Sequence, residues 1–185
     1  MEMSKGQVVE TLKQRDLTIS EADYYLIISS KTASLFAASC TIGALVGAVP
    51  VQQRAALTAF GNELGLAFQI ADDTLDFVAP EARLGKPVNS DLKEGKITLP
   101  IIVAMQHATP GEVQTITDYL DNEQVTDADA QTILAFLEKH NALQTTMGKA
   151  HDHITKAKQF LDAFPASPAL DTLYALADFI IARDV

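Results

Sequence analysis

Apolar residues recur along this chain at spacings of three and four rather than two. That is the period of a helix buried on one face, so an all-α fold is expected. Ser20-Glu-Ala-Asp23 has the form of a capping box, with Asp in place of the usual Glu or Gln. It opens a long helix that runs towards Gly47, before Pro50 breaks it. A second long helix is expected from Val51 to about Val78. Pro80 to Gly95 collects Pro, Gly, Asn and Ser among charges and reads as a loop, after which Thr98 is placed to cap a helix with Pro100 in its first turn. Thr109-Pro-Gly and Thr126-Asp-Ala-Asp begin two more helices, and Asn141 and Pro165 mark the last two separations. There is no internal repeat and no low-complexity tract.

The run from Thr32 to Gln53 carries no charged residue and is long enough to span a bilayer. It is rich in small and weakly polar residues rather than in Leu, Ile and Phe, and it lacks aromatic anchors at its ends. A helix apolar all round is otherwise the centre of a bundle, where small residues let neighbours approach closely. A buried core helix is therefore expected, and no transmembrane segment.

Composition narrows the picture further. A chain of 185 residues that is 48% hydrophobic can bury a substantial core, and its length favours one helical domain over 1–185. The net charge of -10 argues against nucleic acid or an anionic membrane as the main partner, because both attract a basic footprint. The single cysteine, Cys40, rules out an internal disulfide and is compatible with a reducing cytosol. No secretory signal pattern opens the sequence, and a cytoplasmic location is the expectation.

The chemistry concentrates between Gly65 and Phe77, where Asp72, Asp73 and Asp76 interrupt an otherwise apolar helical pattern. Asp72 and Asp76 are four apart and share a face, where like charges repel, and desolvating them costs more. Something cationic must offset that. Clustered carboxylate oxygens are the ligands of a hard divalent ion such as Mg²⁺, which keeps several waters and bridges protein carboxylates to substrate phosphates. A metal-bound diphosphate is the ligand this implies. Gln69 lies on the same stripe as Asp72 and Asp76, placed to donate to a substrate oxygen. Downstream, Gly85-Lys86 and Gly95-Lys96 put two ammonium groups near the aspartates, and lysine binds phosphate as a point charge.

The aspartate-rich helix and its following loop resemble the second aspartate-rich motif of the trans-polyprenyl diphosphate synthases. Arg15-Asp-Leu-Thr18, Lys31-Thr32, Phe68-Gln69 and the closing Ile-Ala-Arg183 resemble family positions in the same order, most of all those of the long-chain octaprenyl and decaprenyl branch. The family's earlier aspartate-rich motif has no counterpart here, so the chain resembles the C-terminal half of a member. The resemblance implies a helical bundle of the isoprenoid synthase type that lacks its N-terminal helices. It implies an allylic diphosphate that ionises and alkylates isopentenyl diphosphate, with Mg²⁺ as cofactor. Asp72, Asp73 and Asp76 would hold the metal; Lys31, Thr32, Gln69, Lys86 and Lys96 would meet substrate, and Phe68 would shape the cavity. Asp72, Asp73, Lys31 and Lys86 are the catalytic candidates. Asp91 would orient a lysine, and Arg183 is as simply explained by the preference of helix C-termini for cations. Homodimerisation, or association with the missing half, is implied in the same way.

Other features weigh little. His151 and His153, two apart on a helix, point to different sides and do not make a metal pair. Cys40 lacks the electropositive surroundings of a reactive thiol. No Ser-His-Asp arrangement or P-loop stands out. The alternative functions are a non-catalytic subunit of a heteromeric synthase and, ranked last, a cyclase-like lyase using the same metal chemistry.

Overall fold

The computed structural model describes residues 2–78, 90–121 and 126–182. All regular structure there is helical: α1 (Glu2–Leu12), α2 (Glu21–Ile28), a π-helical segment (Ser29–Ala33), α3 (Ser34–Val46), α4 (Val51–Val78), α5 (Ser90–Lys93), α6 (Leu99–Met105), α7 (Pro110–Asp121), α8 (Asp127–Lys139), α9 (Ala142–Leu161) and α10 (Pro168–Ile181). The all-α expectation holds.

Helix starts follow the local chemistry. The Ser20 hydroxyl accepts from the Asp23 backbone N–H at 3.1 Å while the Asp23 carboxylate accepts from the Ser20 N–H, and Thr126 and Asp129 repeat this reciprocal pair at α8. Asn141 takes the left-handed conformation at φ 53° that turns α8 into α9.

Helix α4 is the axis of the fold, packing chiefly against α9 on one side and α3 on the other. Its fully buried Phe60, Leu64 and Ile70 anchor two apolar clusters, one with α9 and α10 and one with α2, α6 and α8. Two glycines set the α3 distance. A Cβ at Gly61 would stand 2.6 Å from the Phe36 carbonyl oxygen, and one at Gly65 would stand 2.6 Å from the Ala33 Cα. Only glycine admits this approach.

Two expectations about the Ser20–Gly47 helix need correction. It is not one uninterrupted α-helix: the π-helical turn at Ser29–Ala33 shifts the register between α2 and α3. Nor is it a buried core helix. Of the most apolar stretch of Glu21–Val46, long and apolar enough by length and composition to cross a bilayer, 22% is buried. α3 packs on α4 by one face, and Leu35, Ile42, Leu45 and Val46 are exposed. Small residues provide the close approach, as expected, but on a single side.

A polar network crosses the apolar interior. The His153 ring lies between Glu63 (2.6 Å from Nδ1) and the Tyr25 hydroxyl (3.1 Å from Nε2), tying α9 to α4 and α2. The His151-Asp-His153 cluster is thus no metal pair: His151 instead faces the Met147 carbonyl on the exposed side. The hydrogen bond to His153 is the largest influence holding the Glu63 carboxyl below its ordinary value of 4.5. A depressed carboxylate pKa contributes stability that is present above the unfolded value and lost as pH falls through the folded one. Glu63→Gln is accordingly expected to cost about 1 to 2 kcal/mol at pH 7, with the gap to the parent chain closing as pH drops below 4.5. Urea unfolding at several pH values measures it; a pH-independent gap would assign the loss to packing instead.

Candidate active site

The π-helical turn places Lys31 and Thr32 where α2 gives way to α3, directly against α4. Inserted turns of this kind widen a helix locally and re-aim its side chains. Here the turn brings the Thr32 hydroxyl to Gln69 Oε1, to which it donates at 2.7 Å. The Gln69 amide in turn donates to Asp73 Oδ1 at 2.7 Å, and the Tyr24 hydroxyl donates to Asp73 Oδ2 at the same distance. One hydrogen-bonded chain thus joins Thr32, Gln69, Asp73 and Tyr24.

Asp73 is 5% exposed. Burial, which outweighs the donation from Tyr24 and Gln69, pushes its pKa up to about 7, and the charges of Asp91 and Asp72 add to the rise. Burial and the facing Asp73 likewise raise the Tyr24 hydroxyl well above its ordinary value. A carboxylate in this setting gains from a cation brought beside it.

These side chains open onto a cavity of about 270 Å³. Asp72 and Asp73 form its α4 wall, Lys31 and Thr32 its π-helical wall, and Asp91 and Lys96 the side nearest α5 and α6. Lys96 pairs with Asp91 at 3.0 Å and with Glu94 at 2.8 Å. Burial works against its charge, but the hydrogen bonds to Glu94 and Asp91 prevail and raise its pKa. Lys31 is held at 2.6 Å by Glu10 of α1.

Of the residues singled out in the sequence, Lys31, Thr32, Gln69, Asp72, Asp73, Asp91 and Lys96 thus meet at one cavity. Two others do not line it. Asp76 is fully buried and turned towards α5, accepting from the Ser90 hydroxyl at 2.8 Å and the Asp91 backbone N–H at 3.1 Å. Phe68 stacks against Phe36, with centroids 5.4 Å apart, on the α3 side. Gln69 does not extend along the stripe with Asp72 and Asp76; it reaches sideways between Thr32 and Asp73. Lys86 and Arg183 lie outside the described residues. Tyr24, Glu10 and Thr98 also line the cavity and carried no signal of this: Tyr24 meets Asp73 across 49 positions of sequence.

The donor set suits a hard divalent ion. Among the described residues no three His, Cys, Asp or Glu side chains are arranged as a complete cage. Yet the wall offers carboxylate oxygens at Asp72 and Asp73, and the buried Asp73 is the group whose charge a cation would favour. One or two carboxylates completed by water and substrate oxygens is the usual manner of Mg²⁺ at phosphates.

The arrangement is that of an all-helical protein with an acidic, lysine-bearing cavity on one face of its central helix. Residues 1–137 match the polyprenyl synthetase family, and the chain belongs to that family. It is 35% identical to the short chain isoprenyl diphosphate synthase of Methanothermobacter thermautotrophicus and 35% identical to the octaprenyl diphosphate synthase of Escherichia coli. These alignments cover 100% and 98% of the chain but 56% of each relative. The polyprenyl synthase of Caulobacter crescentus, solved with calcium and isoprenyl diphosphate, superposes with a TM-score of 0.93 at 37% identity, covering all of this chain and 56% of that one. The chain therefore spans little more than half the length of the relatives it matches, and its fold is that of the isoprenoid synthases over that span. The apolar run through α2 and α3 falls within the family match.

Proposed function

We propose that this chain supplies the C-terminal part of a prenyltransferase site, in which an allylic diphosphate ionises and condenses with isopentenyl diphosphate to give a longer polyprenyl diphosphate. The observation that carries this reading is the convergence of Lys31, Thr32, Gln69, Asp72, Asp73 and Lys96 on one cavity from three separate segments of the chain. Asp72 and Asp73 would hold Mg²⁺, with Asp76 steadying the α4–α5 junction behind them, and the metal when bound supplies Lewis acidity towards the leaving diphosphate. Lys31 and Lys96, with Lys86, neutralise charge that grows on the diphosphate oxygens as the carbon–oxygen bond breaks. Lys31 is released from Glu10 and Lys96 from its carboxylate partners as they turn to the ligand. Thr32 and Gln69 fix the orientation of Asp73 through their hydrogen-bonded chain. The apolar helices around the cavity exclude water that would trap an allylic cation. No protein nucleophile is needed.

A second reading has its own support. The chain spans 56% of its relatives' length, so a non-catalytic or complementing subunit of a heteromeric synthase also fits. In either case a cytoplasmic location, and pairing with a second copy or with a polypeptide supplying the remaining helices, are proposed.

The 185-residue chain alone is expected not to elongate prenyl diphosphates, whereas adding a polypeptide equivalent to the upstream half of a relative is expected to give Mg²⁺-dependent turnover. Radiolabelled isopentenyl diphosphate incorporation measures both. Turnover by the chain alone would overturn the partial-site reading, and a folded mixture with no turnover would favour the non-catalytic subunit.

A further inference from the structure

Tyr24 and Tyr25 are neighbours on α2, about 100° apart around the helix, and their hydroxyls reach different partners. Tyr24 donates to Asp73 of α4 at 2.7 Å, while the Tyr25 hydroxyl stands 3.1 Å from His153 Nε2 of α9. The other ring nitrogen, Nδ1, is 2.6 Å from Glu63 Oε2. A carboxylate only accepts, so Nδ1 carries the proton, and Nε2 of the neutral ring accepts from Tyr25. Glu63 of α4 thus holds the α9 imidazole, and the imidazole holds α2.

The tie is doubled one helical turn away. Glu21 and Tyr25 are four apart on α2, Lys149 and His153 are four apart on α9, and Lys149 pairs with Glu21 at 2.6 Å. The rings also meet in series, His153 to Tyr25 with centroids 5.6 Å apart and Tyr25 to Tyr24 edge-on at 5.9 Å. Helix α2 is eight residues long and meets α4 directly at few points, so these side chains help set its rotation. Glu63, Tyr25 and His153 all stand outside the cavity lining. Resting on the proposed function, we infer that Tyr25 is a positioning residue for the candidate metal ligand Asp73, holding Tyr24 against its carboxylate through the tie to His153 and Glu63. A group that orients a metal ligand from outside commonly changes metal affinity by about ten- to a hundredfold, and Tyr25 works one residue further back. Without its hydroxyl α2 is free to turn, and the Tyr24 donor turns with it.

Calorimetric titration with inorganic pyrophosphate and Mg²⁺, run well below the melting temperature, tests this on the parent chain, Tyr24→Phe, Tyr25→Phe, the double variant and His153→Phe. Tyr24→Phe is expected to bind about tenfold more weakly than the parent and Tyr25→Phe about fivefold. Because Tyr25 acts through Tyr24, the double variant is expected to bind as Tyr24→Phe does, within about twofold. His153→Phe keeps a ring against Tyr25 and removes both hydrogen bonds, so it must match the affinity of Tyr25→Phe whatever its melting temperature. The two substitutions cut one link from opposite sides, and whichever folds decides. A merely structural hydroxyl would lower the melting temperature and leave the affinity of the folded chain unchanged, so parent-like binding by Tyr25→Phe would overturn the inference. Losses that multiply in the double variant would overturn it as well, and both results leave the cavity reading intact. Failure of the parent chain to bind pyrophosphate at all would overturn the cavity reading itself.

Discussion

Asp72→Ala is expected to weaken Mg²⁺-dependent diphosphate binding on the order of 100-fold while leaving helix content and melting temperature nearly unchanged. Asp72 is the α4 carboxylate that lines the cavity while remaining partly exposed, so on the proposed reading its removal would take away a carboxylate that holds Mg²⁺ without opening a void. Asp76→Ala should behave differently. Both Asp76 oxygens accept hydrogen bonds from the start of α5 and the residue is fully buried, so stability should fall along with binding. Circular dichroism melts run beside calorimetry separate the two. Equal losses of affinity and stability in Asp72→Ala would assign that carboxylate a structural role.

The second large effect is expected at Gly65, where α4 meets the π-helical turn. Its α-carbon faces the π-helical turn, with the site of a Cβ 2.6 Å from the Ala33 Cα and 3.1 Å from the Phe36 ring. A helix-interior Gly→Ala change usually gains up to about 1 kcal/mol, but here backbone meets backbone and neither side can give way. Gly65→Val is expected to destabilise the chain by about 3 kcal/mol in urea unfolding. It should also weaken pyrophosphate binding, because displacing Ala33 displaces Thr32 and Lys31 one and two residues before it. A stable Gly65→Val chain with unaltered binding would show that α3 can stand further from α4 than the packing implies.

These two sites illustrate which parts of the molecule could be read from sequence and which could not. Local chemistry transferred well. The Ser20–Asp23 box, the helix start at Thr126, the break at Pro50 and the α4 limits depend on neighbours within four residues, and all appear as expected. So does the gathering of the Lys31-Thr32 pair, Gln69 and the two adjacent aspartates, whose residue types advertise their chemistry. The π-helical turn was not legible, because no residue preference within Ser29–Ala33 marks it; its Ala33 packs closely against Gly65 of a distant helix. Tyr24 gave no signal because its partner Asp73 belongs to another helix. The outer face of α3 was misread as core because composition records how apolar a helix is, not how many neighbours it has. Asp76 shared a helical face with Asp72 on paper, yet the nearby Ser90 and Asp91 donors captured both its oxygens. The position of Thr98 invites a cap, yet its hydroxyl makes no cap hydrogen bond at the start of α6.

The coupling between these parts gives the site its character. Asp73 is buried and, among the described residues, pairs with no cation; burial raises its pKa to about 7, and Tyr24 and Gln69 keep it in place. The cavity lysines Lys31 and Lys96 are each held by carboxylates. Negative walls of this kind repel a bare diphosphate and favour one that arrives with divalent metal, which offsets the carboxylates and frees the lysines together. Metal dependence of binding is therefore the central prediction of the proposed function.

The most direct test is calorimetric titration of the folded chain and of Asp72→Ala with a non-hydrolysable allylic diphosphate analogue, with Mg²⁺ and with chelator. Binding by the parent chain only when Mg²⁺ is present, and its loss in Asp72→Ala, is the predicted result. Equal binding in chelator, or a folded parent chain that binds nothing under either condition, would contradict the account.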